Sequence, residues 1–300
     1  MKKTLIVLLG ATGVGKTAFS LPMAEILGSP IISADSRQIF REIPIGTAAP
    51  TEEEQARVRH YFVGTKSVTE NYNAGEYEAD AIELINRLFL THDTLLLTGG
   101  SMLYIDAVCK GLDDIPHVSN ETRRNVELLL QTKGLSFLQA ELERLDPVYY
   151  QQVDLQNPQR VAHAVEVCLE SGRPYSSFRK GFAYRRKERP FGILKAGLQR
   201  DRNKLYQRIN NRVDCMLEQG LQEEAEKVYP WRQQNSLNTV GYKELFSCFD
   251  GDLSLDDAIN LIKQNSRHYA KRQMTWFRRD KDIHWFDAET AQPEDIISLL

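Results

Sequence analysis

The sequence has few cysteines, no long apolar run and no excess of positive charge. Its 300 residues contain four cysteines, none of them in a C-x-x-C pair, at positions Cys109, Cys168, Cys215 and Cys248. This spacing argues against a zinc site and a disulfide framework, and it suits a reducing, cytoplasmic environment. The formal net charge of −3 excludes a uniformly basic nucleic-acid-binding protein, so nucleic-acid contacts would have to come from local charge. Because no apolar run is long enough to cross a bilayer, we expect no association with membranes.

Short apolar runs alternate with helical patterns at both ends of the chain. Residues 4–9, 30–33, 94–98 and 191–198 are such runs, and the first is too short and too soon interrupted to be a secretion signal. Continuous apolar runs of this length are typical of parallel strands that are covered on both faces. The pattern predicts an α/β fold with a parallel sheet.

The middle of the chain has only helical patterns. Leu135, Leu138, Leu142 and Leu145 recur at helical spacing. We therefore predict an all-helical domain at residues 116–185, inserted into a core formed by residues 1–115 and 186–300. The chain leaves the insertion through a basic stretch that contains Arg179, Lys180, Arg185, Arg186, Lys187 and Arg189.

A phosphate-binding loop directly follows the first predicted strand. Residues 10–17 read G-A-T-G-V-G-K-T and fit the pattern G-x-x-x-x-G-K-[ST] between a strand and a helix. Its members are Gly10, Ala11, Thr12, Gly13, Val14, Gly15, Lys16 and Thr17. Backbone N–H groups, the helix N-terminus and the Lys16 charge favour phosphate, and the Thr17 hydroxyl can bind Mg²⁺. The motif predicts phosphate or diphosphate binding without naming the donor.

Polar residues also follow the second and third predicted strands, at the sheet edge where α/β proteins bind ligands. Asp35-Ser36-Arg37-Gln38 follows one strand, and Gly99-Gly100-Ser101 follows the other. Asp35 could serve as a general base or a Mg²⁺ ligand, or it could simply cap the next helix. Ser101 could bind phosphate or cap a helix.

A stretch that mixes basic and aromatic residues lies near the C-terminus, at residues 267–279. On a helix, Arg267, Lys271 and Arg278 share one face. Such a face suits contact with an RNA phosphate backbone, and it is equally typical of a solvated helix surface.

These motifs together resemble the bacterial tRNA dimethylallyltransferase family, also known as tRNA isopentenyltransferases, over nearly the whole chain. The similar segments are residues 10–17, 35–40, 46–50, 72–77, 99–104, 160–167, 241–244 and 271–278. Three positions differ from the usual pattern: Ala49 replaces Lys and loses a phosphate contact, Ser101 replaces Thr, and His163 replaces Arg.

The resemblance implies transfer of a dimethylallyl group from its diphosphate to N6 of the adenosine 3′ of the anticodon in tRNA. Lys16, Asp35 and Ser101 would then be catalytic, with Asp35 as the general base. The P-loop together with Arg208 and Arg212 would bind the donor. Mg²⁺ would be the cofactor, held by Thr17.

The partners implied are dimethylallyl diphosphate and the tRNA anticodon stem-loop, which the helical insertion would grip. The predicted tRNA-binding residues are Asp35, Ser36, Arg37, Gln38, Ser101, Arg123, Gln159, Arg160, Val161, Ala162, His163, Gly241, Tyr242, Lys271 and Arg278. Gln38 would read the adenine after it leaves the loop stack. We expect a cytoplasmic monomer.

Three other functions remain open from the residues. A P-loop kinase would hold ATP and use Asp35 to activate a hydroxyl. A non-catalytic RNA-binding module would leave Asp35 without a role, and an isopentenyltransferase acting on free nucleotide would leave the insertion without one.

Overall fold

The chain folds into two compact units. The computed structural model describes residues 3–179 and 187–300. One unit combines Met1–Cys109 with Glu188–Leu300, and the other is Lys110–Lys187. The predicted first boundary, after residue 115, differs because the Lys187 N–H donates to the Lys110 carbonyl and Lys187 Nζ contacts Asp114. The predicted second boundary lies outside the described residues, as do Lys180, Arg185 and Arg186.

Alternating strands and helices form the N-terminal part of the first unit. The strands are β1 (Thr4–Gly10), β2 (Ile31–Ser33), β3 (His60–Tyr61) and β4 (Thr94–Gly99). The helices are α1 (Lys16–Leu27), α2 (Pro44–Thr47), α3 (Glu52–Arg57), α4 (Ala74–Leu88) and α5 (Met102–Lys110). The predicted strands at residues 4–9, 30–33 and 94–98 are thus present within one residue at each end.

The second unit is helical throughout its described residues. Its helices are α6 (Asn120–Lys133), α7 (Leu135–Leu145), α8 (Pro147–Tyr150) and α9 (Pro158–Ser171), followed by a 3₁₀ turn at Tyr175–Phe178. Val126, Leu138, Leu142 and Val161 form its buried centre. The leucine spacing that predicts a helix coincides with α7.

The chain then returns to the first unit. It forms β5 (Gly192–Gln199) and β6 (Ile283–Asp287), with α10 (Arg202–Glu218), α11 (Leu221–Val228), α12 (Tyr242–Phe249), α13 (Leu255–Phe277) and α14 (Pro293–Ile297). The short apolar patch at residues 283–286 is the edge strand β6, which the sequence did not identify as a strand. It pairs with β5 in parallel.

The six strands form one parallel sheet in the order β3-β2-β4-β1-β5-β6. Strand β1 lies between β4 and β5, with Leu5 opposite Leu95 and Ile193. Its side chains alternate between two hydrophobic clusters, Leu5, Val7 and Leu9 in one and Ile6 and Leu8 in the other. Burial on both faces explains why the strand is a continuous apolar run. The parallel order brings the carboxyl ends of β1, β2 and β4 to one edge, as the α/β prediction requires.

Candidate active site

The P-loop connects β1 to α1 through a tight backbone turn. Gly13 and Gly15 have φ angles of 77° and 114°, which L side chains rarely adopt. The Val14 N–H donates to the Ala11 carbonyl and closes the turn. Gly15 is the N-cap of α1, so the first N–H groups of that helix have no partner within it. Such groups can bind an anion at the end of β1.

Lys16 is folded back onto its own loop. Its Nζ donates to the carbonyls of Gly10 and Ala11 at 2.9 and 3.0 Å. Burial lowers the pKa of Lys16 to about 8, with Asp35 raising it and Arg212 lowering it further. The ammonium is therefore poorly solvated, and an anion bound to the loop would compensate it.

Three arginines surround the P-loop. Arg208 Nε donates to the Gly13 carbonyl at 3.0 Å, and Arg212 Nη1 lies 3.5 Å from Thr12 Oγ1. Burial lowers the pKa of Arg212, whereas Asp35 raises it. The structure thus brings both predicted donor-binding arginines to the loop. Arg200, which the sequence prediction missed, lies just after β5. Its Nε donates to the Val14 carbonyl at 3.4 Å, and its Nη1 donates to Glu289 Oε1 at 2.7 Å.

Asp35 lies just beyond β2 and caps a turn, not a helix. Its Oδ1 accepts the N–H groups of Arg37 and Gln38 at 2.9 and 3.3 Å. Within residues 3–179 and 187–300, Oδ2 has no hydrogen-bond donor. The carboxylate therefore combines a structural contact with one oxygen that remains available for a proton or a metal ion.

Ser101 connects the ends of β2 and β4. Its Oγ accepts the Ser36 N–H at 2.8 Å and donates to Ser36 Oγ at 3.1 Å. The Tyr269 hydroxyl is also hydrogen-bonded to Ser101, and burial raises the pKa of Tyr269 to about 12. Ser101 and Asp35 therefore lie on neighbouring, hydrogen-bonded turns.

Gln273 on α13 ties two loops together. Its Oε1 accepts the Thr12 N–H at 2.8 Å, and its Nε2 donates to the Gly100 carbonyl at 2.7 Å. A Cβ at Gly100 would lie 2.5 Å from Gln273 Nε2, so a side chain at this position would displace the Gln273 amide from its hydrogen bonds. The Thr12 N–H is therefore used inside the protein and does not point to a ligand.

A cavity of about 580 Å³ opens beside these groups. Its polar part includes Thr12, Asp35, Ser36, Arg37, Ser101, Arg212 and Tyr269. Its apolar part includes Ile209, Val213, Met216, Leu221, Val240 and Ile262. The cavity thus combines the Thr12 side of the P-loop, the Arg212 guanidinium, the Asp35 carboxylate and an apolar wall, which suits a ligand with a phosphate group and a hydrocarbon group.

The sequence profile of the IPP transferase family matches residues 38–280. A protein from Phocaeicola vulgatus named tRNA dimethylallyltransferase 1 is 58% identical over 286 residues, 95% of this chain and 94% of its own length. A relative of the same name from Bacteroides fragilis is 57% identical over 99% of this chain and 97% of its own. The chain belongs to this family.

Solved structures agree with this membership. The full-length tRNA isopentenylpyrophosphate transferase from Bacillus halodurans superposes with a TM-score of 0.69 at 34% identity, covering 99% of this chain and 94% of its own. A eukaryotic dimethylallyltransferase shares the fold with a TM-score of 0.77 at 24% identity, over 95% of this chain and 74% of its own. The predicted family and the α/β fold are therefore confirmed.

The predicted tRNA-binding residues of the first unit differ in accessibility. Lys271 and Arg278 are exposed on and just after α13. Arg267 is partly buried and donates to Asn210 Oδ1 at 2.6 Å, so it also holds α13 against α10. Gly241 lines the cavity. Tyr242 is fully buried, so its side chain is not placed to contact tRNA directly, because it packs in the core and its hydroxyl donates to Glu224.

Two further residues of the predicted set have their polar atoms engaged by the protein. Arg37 donates to the carbonyls of Asn235 and Asn238 at 3.0 and 3.4 Å. Gln38 Nε2 donates to Thr47 and Ala48 carbonyls at 3.3 and 3.0 Å. Both therefore shape the loops around the cavity, and their contact with tRNA stays a prediction.

In the second unit, the predicted tRNA contacts lie mostly on the surface of α9. Gln159, Arg160 and His163 are exposed and Ala162 is half-buried. Val161 is fully buried among the apolar side chains of the unit, so its side chain stabilises the helix packing and is not available to RNA. Arg123 on α6 is half-buried. The RNA contacts of the exposed residues stay predictions.

The oxygen donors near the P-loop fit a magnesium ion. The Thr17 side chain is partly exposed in the first turn of α1, next to the first N–H groups of that helix. Among the described residues, Asp35 Oδ2 has no hydrogen-bond donor. Over the described ranges, no cluster of three His, Cys, Asp or Glu side chains forms a metal site. Mg²⁺ commonly takes one or two protein oxygens and completes its shell with water and phosphate, so this sparse donor set suits it.

No helix among the described residues is both long and apolar enough to cross a membrane.

Proposed function

We propose that this protein transfers a dimethylallyl group from dimethylallyl diphosphate to N6 of the adenosine 3′ of the anticodon in tRNA. The observation that carries the proposal is the juxtaposition of Thr12 of the P-loop, Asp35 and Ser101 around one cavity with an apolar wall. The names of its relatives support the same reaction. The P-loop here binds a leaving group and delivers no phosphoryl group.

On the donor side, the bond between C1 of the dimethylallyl group and the diphosphate oxygen breaks. The bonding electrons leave with the diphosphate, so negative charge grows on the oxygen held at the P-loop. The N–H groups of α1, Lys16, Arg208 and Arg212 stabilise that charge from fixed positions. The partial burial that lowers the pKa of Lys16 strengthens its electrostatic effect, because less water screens it.

On the acceptor side, N6 of adenine forms a bond to C1 and loses one proton. Asp35 Oδ2 accepts that proton while Oδ1 keeps its two backbone hydrogen bonds. Ser101 orients the acceptor amine from the neighbouring turn. An exocyclic amine is a weak nucleophile, so a correctly placed base contributes to the rate.

Mg²⁺ would be held by Thr17 and would supply charge neutralisation to the diphosphate. The apolar wall at Ile209, Val213 and Met216 would accept the hydrocarbon group. These residues lie beside Arg212 along α10, so one helix contributes to both ends of the donor.

The tRNA would be bound through its anticodon stem-loop by the helical unit and by the basic residues of α13. The adenine must leave the loop stack to reach Asp35, which costs a few kcal/mol that contacts in the cavity offset. We also propose that the enzyme acts as a monomer, which light scattering of the protein with and without tRNA would test.

The decisive experiment is a mass analysis of nucleosides from tRNA incubated with the protein and dimethylallyl diphosphate. One dimethylallyl unit on adenosine is expected, and a tRNA with another base at that position should stay unmodified. Transfer of phosphate from ATP, or modification of free adenosine monophosphate in place of tRNA, would contradict the proposal.

A further inference from the structure

Glu224 is a buried carboxylate outside the motifs of the sequence analysis. It lies on α11 with 6% of its surface exposed. Its two oxygens accept the N–H groups of Ile45 and Gly46, each at 2.8 Å, and the Tyr242 hydroxyl at 2.5 Å. A buried carboxylate is unfavourable unless donors replace its lost water. The convergence of three donors on one side chain therefore fixes the position of all three.

The loop held by Glu224 contributes to the cavity wall. Gly46 and Thr47 both line the cavity. A Cβ at Gly46 would lie 2.4 Å from the Tyr242 hydroxyl, so this position requires glycine for the loop to approach the tyrosine. The Gly46-Thr47 and Gly241–Glu244 segments, far apart in sequence, thus meet at one buried contact.

The same loop orients Gln38. The carbonyls of Thr47 and Ala48 accept the two N–H bonds of the Gln38 amide, and Gln38 Oε1 accepts the Ser33 hydroxyl at 3.3 Å. Ala48 has a φ of 45°, a conformation that a non-glycine residue keeps only where its surroundings impose it. The position of residues 44–48 therefore determines the orientation of the Gln38 amide. Gln38 lies three residues after Asp35.

We infer that Glu224 is a positioning residue for the acceptor. With Tyr242, its carboxylate fixes the loop at residues 44–48, and this loop sets the Gln38 amide and the wall where adenine binds. The inference rests on the proposed function, because it assigns the loop to the tRNA side of that reaction. Neither Glu224 nor Tyr242 touches the substrate.

The test compares steady-state kinetics of Glu224→Gln and Tyr242→Phe with the wild type. Each variant keeps the size of its side chain but removes part of the hydrogen bonding at Glu224. We expect the KM for tRNA to rise about tenfold, equivalent to about 1.4 kcal/mol. The KM for dimethylallyl diphosphate should stay within about twofold, because the described hydrogen bonds of Glu224 go to Ile45, Gly46 and Tyr242, which lie outside the P-loop.

Glu78→Gln is the matched control. Glu78 is also a buried carboxylate of the first unit. It lies on α4, away from the residues that line the cavity, and it forms an ion pair with Arg189 at 2.9 Å. We expect it to lower Tm while leaving both KM values unchanged. If Glu224→Gln behaves in the same way, Glu224 is only structural and the inference is wrong.

Two other results would overturn the inference that Glu224 positions the acceptor. A rise in the KM for the donor with an unchanged KM for tRNA would assign the loop to the other substrate. If Glu224→Gln does not fold, Tyr242→Phe decides alone, and normal kinetics in that variant would contradict the inference. Failure of the proposed function is distinguishable, because the wild type itself would then transfer no dimethylallyl group.

Discussion

At the scale of single residues, Asp35 carries the sharpest chemical test. Asp35→Asn keeps the size of the side chain and an oxygen that can accept the N–H groups of Arg37 and Gln38. Asparagine cannot accept a proton from N6, so kcat should fall by about 10²–10⁴. Donor and tRNA affinities should change little, because the loss is confined to the transition state.

Single-turnover kinetics and equilibrium binding would measure the two effects separately. Near-normal turnover of Asp35→Asn would restrict Asp35 to capping the turn. A collapse of donor affinity would place Asp35 with Thr17 in the Mg²⁺ site.

Lys16 is expected to make donor binding depend on pH. Its pKa is lowered to about 8, so the free enzyme loses this charge as the pH rises above 8. Donor affinity measured by calorimetry should fall about tenfold per pH unit above that value. Between pH 8 and the unfolded value of 10.5 the unfolded chain holds the extra proton, so this group raises the free energy of unfolding with pH.

The variant Lys16→Ala should bind the donor weakly and with little pH dependence over the same range. It should lose about 10²–10³ in rate while tRNA binding stays nearly intact. An equal loss of tRNA affinity in a filter-binding assay would show that Lys16 does not act on the donor alone.

At the scale of elements, α13 holds the P-loop and the turn after β4 together through Gln273. In Gln273→Leu the Thr12 N–H and the Gly100 carbonyl both lose their partner inside the protein. We expect the free energy of unfolding to fall by about 1–3 kcal/mol. Donor affinity should also fall, because the P-loop is no longer tied to the Gly99–Gly100 turn. Urea unfolding and calorimetry would measure both, and an unchanged donor affinity would limit Gln273 to stability.

The exposed end of α13 is expected to contact RNA phosphates. Replacing Lys271 and Arg278 with Ala should weaken tRNA binding and reduce the slope of log K against log salt by about one unit per lost contact. The third member of that face, Arg267, is not a clean probe because it also bonds Asn210. An unchanged salt slope would show that Lys271 and Arg278 belong to an ordinary solvated surface.

At the scale of the whole molecule, the two compact units predict separable binding functions. Leu142 is fully buried in the second unit, so Leu142→Ala should destabilise that unit by about 2–5 kcal/mol. We expect tRNA affinity to fall while dimethylallyl diphosphate affinity stays unchanged, since the P-loop and its arginines lie in the first unit. Hydrogen exchange would locate the loosened unit, and a matching loss of donor affinity would contradict this division.

The sequence alone determined the P-loop, the main parallel strands and the family. A P-loop is a contiguous eight-residue pattern, and a doubly covered strand such as β1 is a contiguous apolar run, so both are visible locally. The edge strands β3 and β6 were not visible in this way. Strand β3 has only two residues. In β6, only Ile283 is fully buried, while His284 and Asp287 are exposed, so this strand has no continuous buried run.

Only the tertiary structure decided which side chains support the site. Gln273 meets Thr12 across 261 positions, and Glu224 meets Gly46 across 178. Both pairs join a side chain to a backbone N–H, and any residue except proline offers such a group. No residue type at the loop end therefore marks the contact in the sequence. Val161 is a different case, because its apolar spacing with Ala164, Val165 and Cys168 was visible in the sequence. The packing of α9 confirms that this face is buried and removes Val161 from the predicted tRNA contacts.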